Sequence, residues 1–479
     1  MSIRGLSRAL PGRSGAPAAD VRARQAVALV LVSMAQFLIA LDYSIVYLAL
    51  PGIAASLRIV PALVQWVVSA YAVLFAGFLI VGGRLADRFG PARMFIIAIS
   101  LFGIASGAGA AAGNGAVLVS ARGVQGLGAA LLQPAVLGLI GTRFPAGPAR
   151  SRALAVWAAV GAAGLAAGAL LGGLLTTVSW RLTLLVNVPP ALLCALAAAA
   201  WLGTAVPAVA RARRIPLLAA ALGTGTVLAL ALFLTFGGDQ GWTAPATLAC
   251  LLLAAALTGC FLRNEAASAN VLIEPALRRD GSVRAGAAAA ALYMASGGSE
   301  FYVLTLLLQT VKHYSPLHAG LAFLPLAAMV TAGSTATGRA VRRIRPATAL
   351  TTGFLITLAG LTWLCVALRG NAYLADMLPG LVLSGFGHGV TYTATFIIGS
   401  RDVPAIHQGT AGALLTTAQY LSGALTLAVL TLMLAPSRSY PGFTSALILL
   451  AAAAGAGALL AIGRKPDRQA PVPSRDGQA

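Results

Sequence analysis

Two carboxylates stand where water is scarce. Asp42 lies in LDYSIVYLALP (Leu41–Pro51), inside an apolar run, and Glu300 lies in SGGSEFYVLTLLLQ, near the middle of another. A carboxylate in hydrocarbon costs several kcal/mol unless it is paired, neutralised or facing a wet cavity. Desolvation favours the neutral form of such a group, which is the behaviour a reversible proton carrier needs. Capping by nearby backbone is the plain alternative for Asp42, and a wet vestibule without mechanistic use is the alternative for Glu300. Arg122, in LVSARGVQGLGAALLQP (Leu118–Pro134), falls about 10 Å into a fourth apolar run at 1.5 Å per residue. An arginine keeps its charge there, so its work is to hold a carboxylate ionised or to receive a negative group of a substrate. An arginine satisfied by backbone carbonyls is the structural alternative. His388, in LSGFGHGVTY, is mid-span between Gly385, Gly387 and Gly389. Those glycines let another helix or a ligand come close, and imidazole changes charge near neutral pH.

The elements that position these groups follow from composition. The chain has 479 residues, 59% hydrophobic and 9% charged, against about 25% charged in soluble domains. A span needs roughly 20 apolar residues, and fourteen such runs lie between residues 26 and 463. The first is too long for a signal peptide and has no A-x-A exit, so it reads as a helix that stays. The net charge of +21 lies in short clusters between runs and forms no basic face, which argues against nucleic acid. Cys194, Cys250, Cys260 and Cys365 all fall inside apolar runs without metal-like spacing, so no disulfide framework, metal or cofactor is implied.

Of the 33 Lys and Arg residues, 27 fall in the two tails and the gaps after even-numbered runs. The positive-inside rule then places both termini in the cytoplasm. The gap after run 2 reads GRLADRFGPA from Gly83, and the gap after run 10 reads GRAVRRIRPA from Gly338. Gly, Arg, Arg, Pro and Ala coincide between them, and Arg342 stands where the first copy has Asp87. This repeat makes run 9 the counterpart of run 1 and leaves runs 7 and 8 as an insertion. The expected units are a tail (1–24), a six-helix bundle (25–204), two additional spans (205–264), a second six-helix bundle (265–463) and a tail (464–479).

The turn GGRLADRFGPARMF (Gly82–Phe95) packs three arginines, one aspartate and three glycines between two membrane-length runs. It resembles the loop between the second and third helices of major facilitator transporters, G-x-L-x-D-R-x-G-x-x-[RK], with Gly83, Leu85, Asp87, Arg88, Gly90 and Arg93 on pattern. The Asp42 stretch resembles L-D-x-T-x-V-N-x-A-L-P of the fourteen-helix drug:proton antiporter branch, with Ser44 for Thr and Tyr47 for Asn. Arg122, Gln125, Gly126, Gly128, Ala129 and Ala130 fit that branch's R-x-x-Q-G-x-G-A-A. GLAAGALLGG resembles the antiporter signature G-x-x-x-G-P-x-x-G-G, with Gly164, Gly168, Gly172 and Gly173 matched and Ala169 replacing the proline. SWRLTLLVNVPPA resembles the W-R-x-x-F-x-x-N-x-P turn, matched at Trp180, Arg181, Asn187 and Pro189, where Trp180 and Arg181 read as interface anchors.

The resemblance implies an all-α major facilitator fold of fourteen transmembrane helices in two pseudo-symmetric bundles. It also implies proton-coupled export of organic, drug-like compounds across the cytoplasmic membrane by a protein working as a monomer. Asp42 and Glu300 are the expected proton or cation sites, with Arg122 as their partner. His388, Tyr43, Tyr302 and Gln125 are expected at the substrate cavity, since aromatic faces suit planar or cationic molecules. Gly83, Asp87, Arg88, Gly90 and Arg93 are expected to form a conformational latch, with Asp87 near the positive end of a second-half helix. Gly164, Gly168, Gly172 and Gly173 are expected on a gating helix. The missing proline keeps a solute importer or facilitator open as an alternative. An enzyme or sensor on the same scaffold lacks a metal cluster and a nucleophile–base pair, and no Walker-type loop points to ATP.

Overall fold

The computed structural model describes residues 18–59, 61–202, 216–268, 271, 273–341, 343–370, 372–434 and 440–463, and among these there is no strand. Both tails, much of the junction at 203–215 and Arg342 of the repeat lie wholly or largely outside the described residues. Among the described residues, fourteen long helices follow one another. They are α1 (Ala18–Leu57), α2 (Pro61–Phe89), α3 (Pro91–Ala110), α4 (Gly115–Arg143), α5 (Pro148–Val178), α6 (Trp180–Trp201) and α7 (Leu217–Gln240). Then come α8 (Pro245–Ala267), α9 (Gly281–Val311), α10 (His318–Ala340), α11 (Pro346–Ala367), α12 (Tyr373–Ser400), α13 (Gln408–Leu434) and α14 (Tyr440–Ile462). Among the described residues, 13 helices are long and apolar enough to cross a membrane, and α13 completes the series of fourteen. Apolar side chains such as Ile104, Leu193, Leu252, Val366 and Leu459 point outward, as a lipid environment requires.

The helix ends are set by local chemistry. Gly90 takes φ 88°, open to glycine at little cost, and Pro91 starts α3 directly after it. Asn114 caps α4 by accepting from the Val117 N–H at 2.9 Å, and Asp280 caps α9 by accepting from the N–H groups of Ser282 (2.7 Å) and Val283 (3.1 Å). Pro189 and Pro190 cannot both continue the hydrogen-bond ladder of α6, which breaks at Val186 and Asn187. In α9, two π-helical segments, Met294–Gly298 and Leu307–Val311, bracket the stretch that carries Glu300. Such segments are frequent at functional positions.

Two large apolar cores dominate the described residues. One gathers Leu38, Phe75, Phe95, Phe102 and Trp157 from the first helices, and the other gathers Leu307, Leu361, Phe354, Phe443 and Leu450 from the last. The α7–α8 pair joins neither. Ala219 and Ala220 of α7 pack on Ile80 and Val81 of α2 and Phe261 of α8, and the rings of Trp66 and Phe236 meet edge-on at 6.1 Å.

The repeat seen in sequence is a repeat in packing. A Cβ on Gly83 of α2 would lie 2.9 Å from the Ala413 Cβ of α13, and one on Gly338 of α10 would lie 2.4 Å from the Ala155 Cβ of α5. Each half thus presses a glycine of its second helix onto the fifth helix of the other half. Small residues are what permit helix axes to approach this closely.

Candidate functional site

Asp42 is wholly buried, and among the described residues the hydrogen-bond partners of its carboxylate come from other helices. Arg122 of α4 donates to Oδ2 at 2.7 Å, while Gln125 of α4 and Asn187 of α6 each donate to Oδ1 at 2.9 Å. Gln125 also accepts from Arg122 at 2.7 Å, and Ser106 of α3 accepts from both Gln125 and Asn187 at 3.2 Å. Arg122 is 2% exposed, gives Nε to the Val67 carbonyl at 3.1 Å and places its guanidinium 4.6 Å from the Tyr71 ring centre. Charge-assisted bonds of this length in a dry interior are strong, and they fix both groups. The carbonyl contact and the carboxylate contact coexist, so the two readings of Arg122 describe one arrangement.

The glycines of α5 face this centre. A Cβ on Gly164 would lie 2.6 Å from the Phe37 carbonyl oxygen, and one on Gly168 would lie 2.5 Å from that of Leu41 and 2.0 Å from Ser44 Oγ. The Ser44 hydroxyl, in turn, donates across the seam to the Leu165 carbonyl at 2.9 Å. The glycine face therefore lets α5 lie on α1 beside Asp42. Gly172 is buried and Gly173 half-buried further along the same helix.

A second buried acid lies in the other half. Glu300 is wholly buried and accepts from the Ser384 hydroxyl at 2.8 Å through Oε1. Its Oε2 lies 3.2 Å from His388 Nε2, close enough for an ion pair but without hydrogen-bond alignment, so neither atom has a hydrogen-bond partner among the described residues. Gly297 makes room for the imidazole, since a Cβ there would sit 1.8 Å from His388 Nε2. Tyr293 meets the imidazole edge-on at 6.1 Å and the Tyr392 ring at 5.2 Å. Tyr392 stacks on Trp157 of α5 at 5.5 Å, which carries the aromatic contact across to the first half. A parallel path runs from Tyr71 through Phe75 (5.9 Å) to Tyr420 of α13 (4.7 Å).

The residues expected at a substrate cavity separate. Gln125 belongs to the Asp42 centre and His388 to the Glu300 centre. Tyr43 is 36% exposed, whereas Tyr302 packs half-buried on the second core.

At the turn expected to act as a latch, Asp87 accepts from the N–H groups of Gly409 and Thr410, each at 3.2 Å, and from the Thr410 hydroxyl. It thereby caps the N-terminus of α13, where a negative charge is favoured. Gly83 allows the approach and Gly90 shapes the turn. The arginines divide differently from the sequence expectation. Arg88 lies over the Phe89 ring at 5.3 Å and Arg93 is exposed, whereas Arg84 gives NH2 to the Val271 carbonyl at 2.9 Å and reaches Glu274 at 3.4 Å. Glu274 also lies 3.1 Å from His407, so the segment before α9 meets both α2 and the start of α13.

Comparison with known proteins places this architecture. A family model described as the Major Facilitator Superfamily matches residues 32–427. This chain belongs to the major facilitator superfamily. It is 35% identical over 414 residues to the cephamycin export protein CmcT of Amycolatopsis lactamdurans, with 84% of each chain covered. It is 35% identical over 417 residues to the puromycin resistance protein pur8 of Streptomyces alboniger, covering 84% of this chain and 80% of that one. The solved structure of the human organic anion transporter MFSD10 shares the fold, with TM-score 0.68 and 16% identity over 91% of this chain and 99% of that one.

The sequence pointed to Asp42 with Arg122 as its partner and set Gln125 apart at a substrate cavity, while Ser106 went unremarked and Asn187 was given no role. Asn187 was visible as the Asn of the W-R…N-x-P turn, and the prolines after it marked the helix break that frees its side chain. Trp180 and Arg181 are held by contacts within the protein. Trp180 is buried, and Arg181 stacks on it at 4.5 Å while donating to the carbonyls of Ala110 and Ala112, both at 2.7 Å, which finishes the end of α3.

Proposed function

We propose that this facilitator exports organic, antibiotic-like compounds across the cytoplasmic membrane in exchange for protons. The observation that carries the reading is the dry polar centre around Asp42, held by α3, α4 and α6 and pressed by the glycine face of α5. A buried carboxylate kept with this many partners inside a membrane bundle is expensive and serves ion movement or substrate recognition by default. The relatives' names supply direction and substrate class, as their identity is high over most of both chains. The charge distribution supports both termini in the cytoplasm, which puts the Asp87 latch on the cytoplasmic side.

On this reading the latch closes the cytoplasmic side. Breaking the Asp87–Thr410 contact frees α2 from α13 and α5 from α10, and the site then faces the cytoplasm. The transporter works as a monomer, since both halves of the latch and both acidic centres lie in one chain.

The test is accumulation of puromycin and of ethidium in cells that express the protein. Lower accumulation that a protonophore abolishes is expected. Raised accumulation would instead favour the importer left open by Ala169.

A further inference from the structure

A cavity of about 650 Å³ lies where the ends of α9, α11, α12 and α14 meet, lined by neither buried acid. On the orientation read from charge, these helix ends reach the cytoplasmic headgroups. The wall of the cavity is two-sided. Ile398, Ala461 and Ile462 form an apolar side, and two arginines, two acids and several hydroxyls form a polar one.

Most of the charge on the polar side is already matched. Arg401 donates to Asp402 at 3.2 Å, and the Asp280 carboxylate caps α9 by accepting from Ser282 and Val283. Arg345 differs. Among the described residues, no carboxylate pairs with its guanidinium and no carbonyl accepts from it. Thr348 and Thr352, three and seven residues further on, share its side of α11, line the same cavity and are exposed.

The internal repeat shows that the fold does not require these groups. In the register that pairs Gly83 with Gly338, Arg345 stands where the first half has Gly90. Thr351 and Thr352 stand where it has Ile96 and Ile97. Gly90 takes φ 88° in its turn, whereas Arg345 takes an ordinary φ of −69°. Ile97 is 46% exposed, as suits a residue facing lipid. The second half puts a cation and hydroxyls at the equivalent positions, which is unfavourable against hydrocarbon and favourable against a phospholipid headgroup.

We infer that this cavity binds a phospholipid by its phosphodiester. Arg345 is the counter-ion of the phosphate, Thr348 and Thr352 donate hydroxyls to it, and the apolar wall receives the start of the acyl chains. A diester carries one negative charge, which matches the one unpaired guanidinium of the lining. Soluble phosphate esters share that chemistry but leave Ile398, Ala461 and Ile462 against water, which favours the lipid as the source. The choice of leaflet rests on the orientation proposed above, and the binding is independent of the exported compound.

The experiment is native mass spectrometry of the purified full-length protein, stripped of lipid in detergent and titrated with phosphatidylglycerol. The wild type is expected to hold one lipid more tightly than the rest. Arg345→Ala weakens that site by about tenfold or more, because a hydrogen bond to a charged group is lost. Thr352→Ile, which restores the side chain of the first half, also weakens it and keeps the test readable if Arg345→Ala does not fold. Arg343→Ala, at an exposed position outside the cavity lining, leaves it unchanged. In thermal melts the lipid stabilises the wild type and not Arg345→Ala. Diacylglycerol, which lacks the phosphate, and glycerophosphoglycerol, which lacks the chains, both bind far more weakly. Equal retention by the wild type and Arg345→Ala would overturn the inference. So would an equal loss in Arg343→Ala, which would mean diffuse attraction to basic residues. Glycerophosphoglycerol that binds as tightly as the lipid would overturn it too, by making the ligand a soluble phosphate ester. Failure of export with this site intact bears on the proposed function alone.

Discussion

Asp87 of α2 caps α13 at Thr410, 323 residues further along the chain, and so ties one half of the transporter to the other. Replacing Asp87 with Asn removes the charge that favours this helix end while keeping a side chain that can accept. A cost of about 1 kcal/mol, roughly a fivefold shift toward the unlatched state, is expected. The check is maleimide labelling of a cysteine placed at Ala413, which should quicken in Asp87→Asn while membrane insertion stays normal. Unchanged labelling and transport at the wild-type rate would count against the latch.

The matched contacts of Gly83 and Gly338 make a second prediction. Gly338→Ala puts a methyl 2.4 Å from the Ala155 Cβ, and overpacking of this kind costs about 1–3 kcal/mol. Transport should fall severalfold in Gly338→Ala and recover in Gly338→Ala with Ala155→Gly. Failure of the second change to rescue would mean that the α5–α10 contact is not where the strain falls.

Much of this organisation was legible before any coordinates. Run lengths gave the helices because a bilayer fixes the length of a span, and Gly83 and Gly338 announced the repeat because only glycine serves at both contacts. Asp42 and Arg122 stood out because charge in an apolar run is costly. Their bond was not legible, since the two are separated by 80 residues and meet through helix packing alone. The Glu300–His388 contact was hidden for the same reason. The arginines of the latch turn misled because sequence shows their charge but not their direction. Arg84, on the inner face of α2, meets Glu274, while Arg93 points to solvent.

For the Asp42–Arg122 pair, loss of one partner should be worse than loss of both charges. Arg122→Gln strands a buried carboxylate and should cost about 3–5 kcal/mol, seen as a lower melting temperature of the purified protein. Asp42→Asn with Arg122→Gln should recover a large part of that loss. A double variant no more stable than Arg122→Gln would show that the network, rather than the charge pair, sets the stability.

Asp280 offers a pH-dependent contribution outside the spans. Desolvation pushes its carboxyl up, but hydrogen bonds from Ser282 and Val283 outweigh this and hold it below its ordinary value. A depressed carboxyl contributes stability that is present above its unfolded value and is lost as pH falls through the folded one. Asp280→Ala should cost about 1 kcal/mol at neutral pH and nothing measurable once the pH lies below both values. Thermal melts across acidic pH check it, and an equal loss at every pH would contradict the assignment.

Proton movement driven by substrate is the most direct measurement. Inside-out vesicles carrying the protein are loaded with protons, a panel of puromycin, ethidium and tetraphenylphosphonium is added outside, and a pH-sensitive dye follows the lumen. Substrate-dependent proton efflux is expected in the wild type, and its loss is expected in Glu300→Gln. Substrate uptake into the vesicles with no accompanying proton movement would contradict proton coupling.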